Sequence, residues 1–161
     1  MPTQSFSAQI TFVPVADLAA SAQFYETVLL LRLEVDQGNV RIYRVAAGGY
    51  LGLCQSDSPL GADERLILTL VTDDVDDWHQ RLVTQGVSVD GTPRLNERYQ
   101  IYHFFARDPD SYRLEIQRFL HPFPAHAPTL SLGRLLFFPR RWSWGCIRRS
   151  VRRSQRLVSS C

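Results

Sequence analysis

One order of elements occurs twice in this chain, and that repeat limits the fold more than any other feature. Gln9–Val15 reads as a buried strand carrying Ile10, Phe12, Val13 and Val15. Asp17 comes next as a helix N-cap, since its carboxylate can accept the unpaired first-turn N–H groups. Leu18, Ala22, Tyr25 and Leu29 recur at helical spacing and predict an amphipathic helix of about three turns. Strands are expected at Arg32–Asp36, Val40–Ala46 and residues 50–55, with hairpin turns at Gly38-Asn39 and Gly48-Gly49. After a polar linker at residues 56–64 the order returns. Residues 66–72 form a strand, and Asp74 caps a helix running through about Gln85, with Asp77 in its first turn and Gly86 as its stop. Three more strands are expected at residues 87–90, 100–106 and 112–119.

The copies align residue by residue. Asp17-Leu18 matches Asp74-Val75, 57 positions on, and residues 50–55 match Arg113 to Gln117, 63 positions on, with Gly52 against Glu115. Such a period is too long for a solenoid, and only two copies exist. Each half alone would bury too little apolar surface to be stable. The expected fold is α+β: two βαβββ modules, at about residues 8–56 and 65–119, packed against each other inside one domain of residues 1–119.

Charge separates this body from the C-terminal extension. The chain of 161 residues has no lysine, and its formal net charge is +2. Residues 1–118 hold ten arginines and all 16 acids, a net −6; residues 119–161 hold eight arginines and no acid, a net +8. The acidic body argues against a specific nucleic-acid surface. The extension at residues 120–161 is Pro- and Arg-rich and is expected to be disordered, or a gene end read out of frame. As an alternative, its arginines and tryptophans would bind nucleic acid or an anionic membrane weakly. No apolar run reaches the roughly 18 residues of a membrane span, and the N-terminus lacks a secretory signal, so a cytoplasmic location is expected. Cys54, Cys146 and Cys161 are too few and too scattered for a disulfide framework or zinc cluster.

Val15-Ala16-Asp17-Leu18 with Phe24-Tyr25 and Val28-Leu29, and Arg107-Asp108-Pro109-Asp110-Ser111-Tyr112-Arg113-Leu114-Glu115-Ile116, give the chain a resemblance to the vicinal oxygen chelate superfamily. That superfamily includes glyoxalase I, bleomycin-resistance proteins and extradiol dioxygenases. The likeness covers about residues 8–119, and it implies that the two modules form a curved mixed sheet with a shared cavity. The chain departs from the family pattern at Leu30 and Ser111, where glycine is usual.

Metal-dependent members hold a divalent ion with two side chains per module. The matching positions here are Ile10 and Ile67 on the first strands, and Gly52 and Glu115 on the last. Only Glu115 carries a donor side chain, so no metal and no other cofactor is expected. Gln9, Thr11 or Thr69 would enter the site only by a strand slip, and as weak ligands. Candidate ligand-binding residues are Glu115, His103, Tyr102, Phe104, Tyr43 and Arg41, with Tyr99 and Phe105 beside them. Alternation puts Tyr102 and Phe104 on one face of their strand and His103 and Phe105 on the other, and either face could line the cavity. The expected function is binding of a small apolar or aromatic molecule without metal, by a homodimer, with no catalytic residues. Two alternatives stand beside it: a metal-dependent lyase, isomerase or dioxygenase using Glu115, and an interaction protein acting through the basic extension.

Overall fold

Asp17 starts the first helix as its chemistry requires: its carboxylate accepts the N–H groups of Ala19 and Ala20 at 2.9 and 3.0 Å. The structure, a computed structural model, describes residues 6–58 and 65–123. The first module runs β1 (Gln9–Val15), α1 (Leu18–Gln23), β2 (Arg32–Asp36), β3 (Val40–Ala46) and β4 (Gly49–Gln55). The second runs β5 (Ile67–Val71), α2 (Val75–Thr84), β6 (Arg94–Asn96), β7 (Ile101–Arg107) and β8 (Arg113–Phe119). The sheets are ordered β1-β4-β3-β2 and β5-β8-β7-β6. The pairs β1/β4 and β5/β8 are parallel and the others antiparallel, so both are mixed sheets of the same topology. The expected two-module α+β fold is present. The expectations for residues 120–161 fall mostly outside the described residues.

Each sheet turns one face toward the helices. Val13, Val15, Tyr43, Leu51 and Leu53 from the first module join Val75, Leu82, Phe104, Leu114 and Ile116 from the second in a single buried core. The tie between modules is polar. Tyr25 donates its phenol hydrogen to Asp108 Oδ2 at 2.7 Å, and Asp108 Oδ1 accepts the N–H of Tyr112 at 2.8 Å. Asp110 accepts from the Ser21 hydroxyl at 2.6 Å and from the Ala16 N–H at 2.7 Å. The Tyr112 hydroxyl donates to the Pro14 carbonyl at 2.8 Å. Arg81 on α2 closes the other side, donating to the carbonyls of Thr27 and Val28. Burial pushes the Asp108 carboxyl above its ordinary range, although the bonds from Tyr25 and the backbone amides pull it down.

Three local expectations are corrected, and one departure from the family pattern gains a conformational meaning. The first helix is α-helical only to Gln23 and then widens into a π turn over Phe24–Val28, with the Leu29 N–H reaching Phe24 O at 3.1 Å. That widening brings both Phe24 and Tyr25 into the core. Asp74 precedes α2 but makes no side-chain cap bond. Residues 87–90 are not a strand: only Val89 bridges to Ala106, and the edge resumes as β6 after Gly91-Thr92-Pro93, a segment in which proline cannot donate to the ladder. Finally, Leu30 and Ser111, which stand where the resembled family has glycine, take the left-handed φ values of 57° and 68°.

Leu30 is 61% exposed, so little packing is lost with its side chain. Leu30→Gly and Ser111→Gly should each stabilise the fold, by about 0.5–1 kcal/mol in urea unfolding, because strain is relieved at a φ that glycine tolerates. A loss of stability at both positions would contradict this. Tyr25→Phe deletes a bond that favours ionised Asp108 and so raises its folded pKa further. A group whose folded pKa is raised contributes stability below its unfolded value and loses it as pH rises through the folded value. The substitution should therefore cost about 1–2 kcal/mol at pH 7 and less near pH 4. Equal losses at the two pH values would sink this account.

Candidate functional site

Period-two alternation sends the other face of the second sheet away from the core. Cross-strand register puts Thr69 opposite Glu115, Phe105 opposite Glu115 on its other side, and His103 opposite Gln117. Arg94 lies opposite His103, and Asn96 opposite Ile101. All of these except Thr69, with Ile67, Tyr99 and Phe119, line a hollow of about 580 Å3.

A hydrogen-bonded chain crosses this face. Ionised Glu115 can only accept, so His103 must carry its proton on Nδ1, which donates to Glu115 Oε1 at 2.7 Å. The Thr69 hydroxyl donates to Glu115 Oε2 at 3.0 Å. Both carboxylate oxygens are therefore engaged, and in the neutral imidazole this leaves Nε2 as an acceptor. The His103 ring meets Phe105 edge-on at 5.1 Å, and the Arg113 guanidinium lies 3.8 Å above Phe105. His103 and Gln117 are only 5% and 6% exposed.

The other sequence candidates lie elsewhere. Tyr102 and Phe104 are on the helix side of β7: the Tyr102 hydroxyl donates to Asp76 Oδ1 at 2.8 Å, and Phe104 is buried against His79. Tyr43 lies in the core, stacked on Tyr25, with its hydroxyl donating to Glu26 at 2.9 Å. Burial and the Glu26 carboxylate push that phenol up to about 12. Arg41 pairs with Asp36 at 3.1 Å. Of the six candidates, the structure thus brings together only His103 and Glu115, with Tyr99 and Phe105 beside them. Gln117 and Phe119 were overlooked, although alternation from Glu115 points to both. Arg94 and Asn96 were overlooked because β6 was.

The residues do not fit the metal that the resemblance implies. On the first module's open face, Phe12 lies opposite Gly52, and a Cβ added at Gly52 would fall 2.3 Å from the Phe12 ring. An aromatic ring thus fills the space a ligand side chain would need. Ile10 and Ile67 have no donor atoms, and Glu115 is already bonded twice. Among the described residues no three His, Cys, Asp or Glu side chains converge on one point. A second hollow, of about 360 Å3, lies between the modules, with Leu31, Val45, Trp78 and Phe123 on its walls and no ionisable side chain.

The architecture is shared with solved proteins. An integron cassette protein from the mobile metagenome of a Halifax Harbour sewage outfall is similar at 22% identity and a TM-score of 0.61, over 69% of this chain and 97% of that one. A glyoxalase/bleomycin resistance protein/dioxygenase from Nocardioides is similar at 16% identity and a TM-score of 0.60, over 76% and 89%. The fosfomycin resistance protein FosX from Listeria monocytogenes is similar at 16% identity and a TM-score of 0.59, over 71% and 94%. At these identities the likeness is one of fold. No protein of curated function matches the sequence. The model of the Glyoxalase/Bleomycin resistance protein/Dioxygenase superfamily matches residues 8–116, more than half of the chain. With the duplicated βαβββ order and the shared register of its two sheets, the chain belongs to that superfamily.

Proposed function

We propose that this chain binds a small, largely aromatic molecule without metal, in the hollow on the open face of the second sheet. The observation that carries the reading is the composition of that hollow. Phe105, Phe119, Tyr99 and Ile67 supply apolar wall, and a few fixed polar groups supply orientation. Its volume of about 580 Å3 is in the range that holds small ligands. Replacement of the first module's ligand position by Gly52 under Phe12 supports binding by contact rather than by coordination.

A homodimer suits this reading. Ile10 and Ile67 are each 40% exposed and Phe12 is 52% exposed on the open sheet faces. A second copy laid over them would cover apolar surface and close the hollow from above. Among the described residues no helix is long and apolar enough to cross a membrane.

Two measurements test the proposal. Native mass spectrometry of protein purified without chelator should show a dimer free of divalent metal; a stoichiometric metal that disappears in Glu115→Ala would overturn metal-free binding. The fluorescent probe 8-anilinonaphthalene-1-sulfonate should bind the native protein and bind the double variant Phe105→Ala/Phe119→Ala at least about ten-fold more weakly, as loss of two aromatic walls requires. Unchanged affinity would remove the hollow from consideration.

A further inference from the structure

Resting on that reading, we infer that the hollow selects an aromatic carboxylic acid carrying a hydroxyl group. Its selectivity would come from a row of three side chains laid across three strands. Arg94 on β6, His103 on β7 and Gln117 on β8 are successive cross-strand partners, all on the open face. Neighbouring strands are about 4.8 Å apart, so the row spans roughly 10 Å, about the length of a one-ring acid.

Each member of the row has unused hydrogen-bonding capacity toward the hollow. His103 is buried, and its Nδ1 is committed to Glu115, yet Nε2 has no partner among the described residues. In the neutral imidazole with its proton on Nδ1, the state on which this selectivity rests, Nε2 accepts and cannot donate. Gln117 is a buried residue whose side-chain amide has no hydrogen-bond partner among the described residues and is not sealed off from the hollow. Among the described residues Arg118 Nε is the only fully enclosed side-chain polar atom without a partner, so His103 Nε2 and the Gln117 amide keep access to the hollow, where a ligand or water can meet them. One acceptor beside one amide is the pattern that a hydroxyl satisfies: its O–H donates to His103 Nε2, and its oxygen accepts an N–H of Gln117. An ether can accept from Gln117 but leaves Nε2 unmet.

At the other end of the row, Arg94 donates one N–H to the Asp90 carbonyl at a long 3.3 Å, and no carboxylate pairs with it among the described residues. Its guanidinium is the group suited to a ligand carboxylate. Phe105 and Phe119 flank the row and give the ring its faces. Glu115 acts through His103: it sets which ring nitrogen faces the ligand, and so whether the site reads a donor or an acceptor.

The test compares 4-hydroxybenzoate with 4-methoxybenzoate by isothermal titration of the full-length protein. The hydroxy acid should bind at least ten-fold more tightly. His103→Phe should bring the two to parity, and Arg94→Gln should weaken both while keeping their ratio. Glu115→Gln should narrow the preference, because a glutamine amide can donate to Nδ1 and turn Nε2 into a donor. Imidazole 15N shifts should report that tautomer change independently of folding. Equal affinities in the native protein, or no detectable binding of 4-hydroxybenzoate, would overturn the inference. Binding of the naphthalene probe through Phe105 and Phe119 would then still stand for the broader reading. Failure of both probes would remove both.

Discussion

The buried Asp108 carboxylate, with Asp110 beside it, anchors the polar contacts that hold the two modules in register. It sits in the turn between β7 and β8, where it orders its own backbone through Tyr112 and accepts the Tyr25 phenol of the first module. Apolar burial supplies most of the driving force for the shared core, but burial is non-directional. The bonds at Asp108 and Asp110 specify one docking of α1 against the second sheet. Because the same turn launches β8, it also sets where Glu115 and Gln117 emerge on the far face. The contact between modules and the geometry of the candidate site are thus two ends of one short segment.

The two sheets share topology and register, yet their open faces carry opposite chemistry. Phe12 opposite Gly52 and Thr69 opposite Glu115 are equivalent pairs. In the first module the strand glycine lets an aromatic ring lie against the backbone, and the face is apolar. In the second module a carboxylate is held by a hydroxyl and an imidazole. A duplicated scaffold lets side chains on one face diverge while the core face stays constrained by packing.

Much of this was legible in the sequence because it depends on local chemistry. The Asp17 cap comes from side-chain reach, and the offsets of 57 and 63 positions reappear as the cross-strand pairs just named. The face of β7 was not legible. Ile101, His103, Phe104 and Ala106 are all buried, so this central strand lacks the polar alternation that marks a one-sided strand. Three-residue β6 is too short for any period, and it took Arg94 and Asn96 out of view with it. The positions where family pattern and sequence disagree, Leu30 and Ser111, proved structural in meaning: both keep the glycine conformation without glycine. The role of Glu115 depended on partners from two other strands, which no reading of β8 alone could supply.

The unequal faces also have a bearing on stoichiometry. A duplicated fold with two equivalent faces could carry two equivalent sites per chain. Here Phe12 over Gly52 removes the polar anchor from one of them, which leaves the fixed imidazole and its neighbouring amide in the other alone. On the proposed reading, occupancy would be one ligand per chain and two in the proposed homodimer, so any communication between sites would have to pass from one subunit to the other.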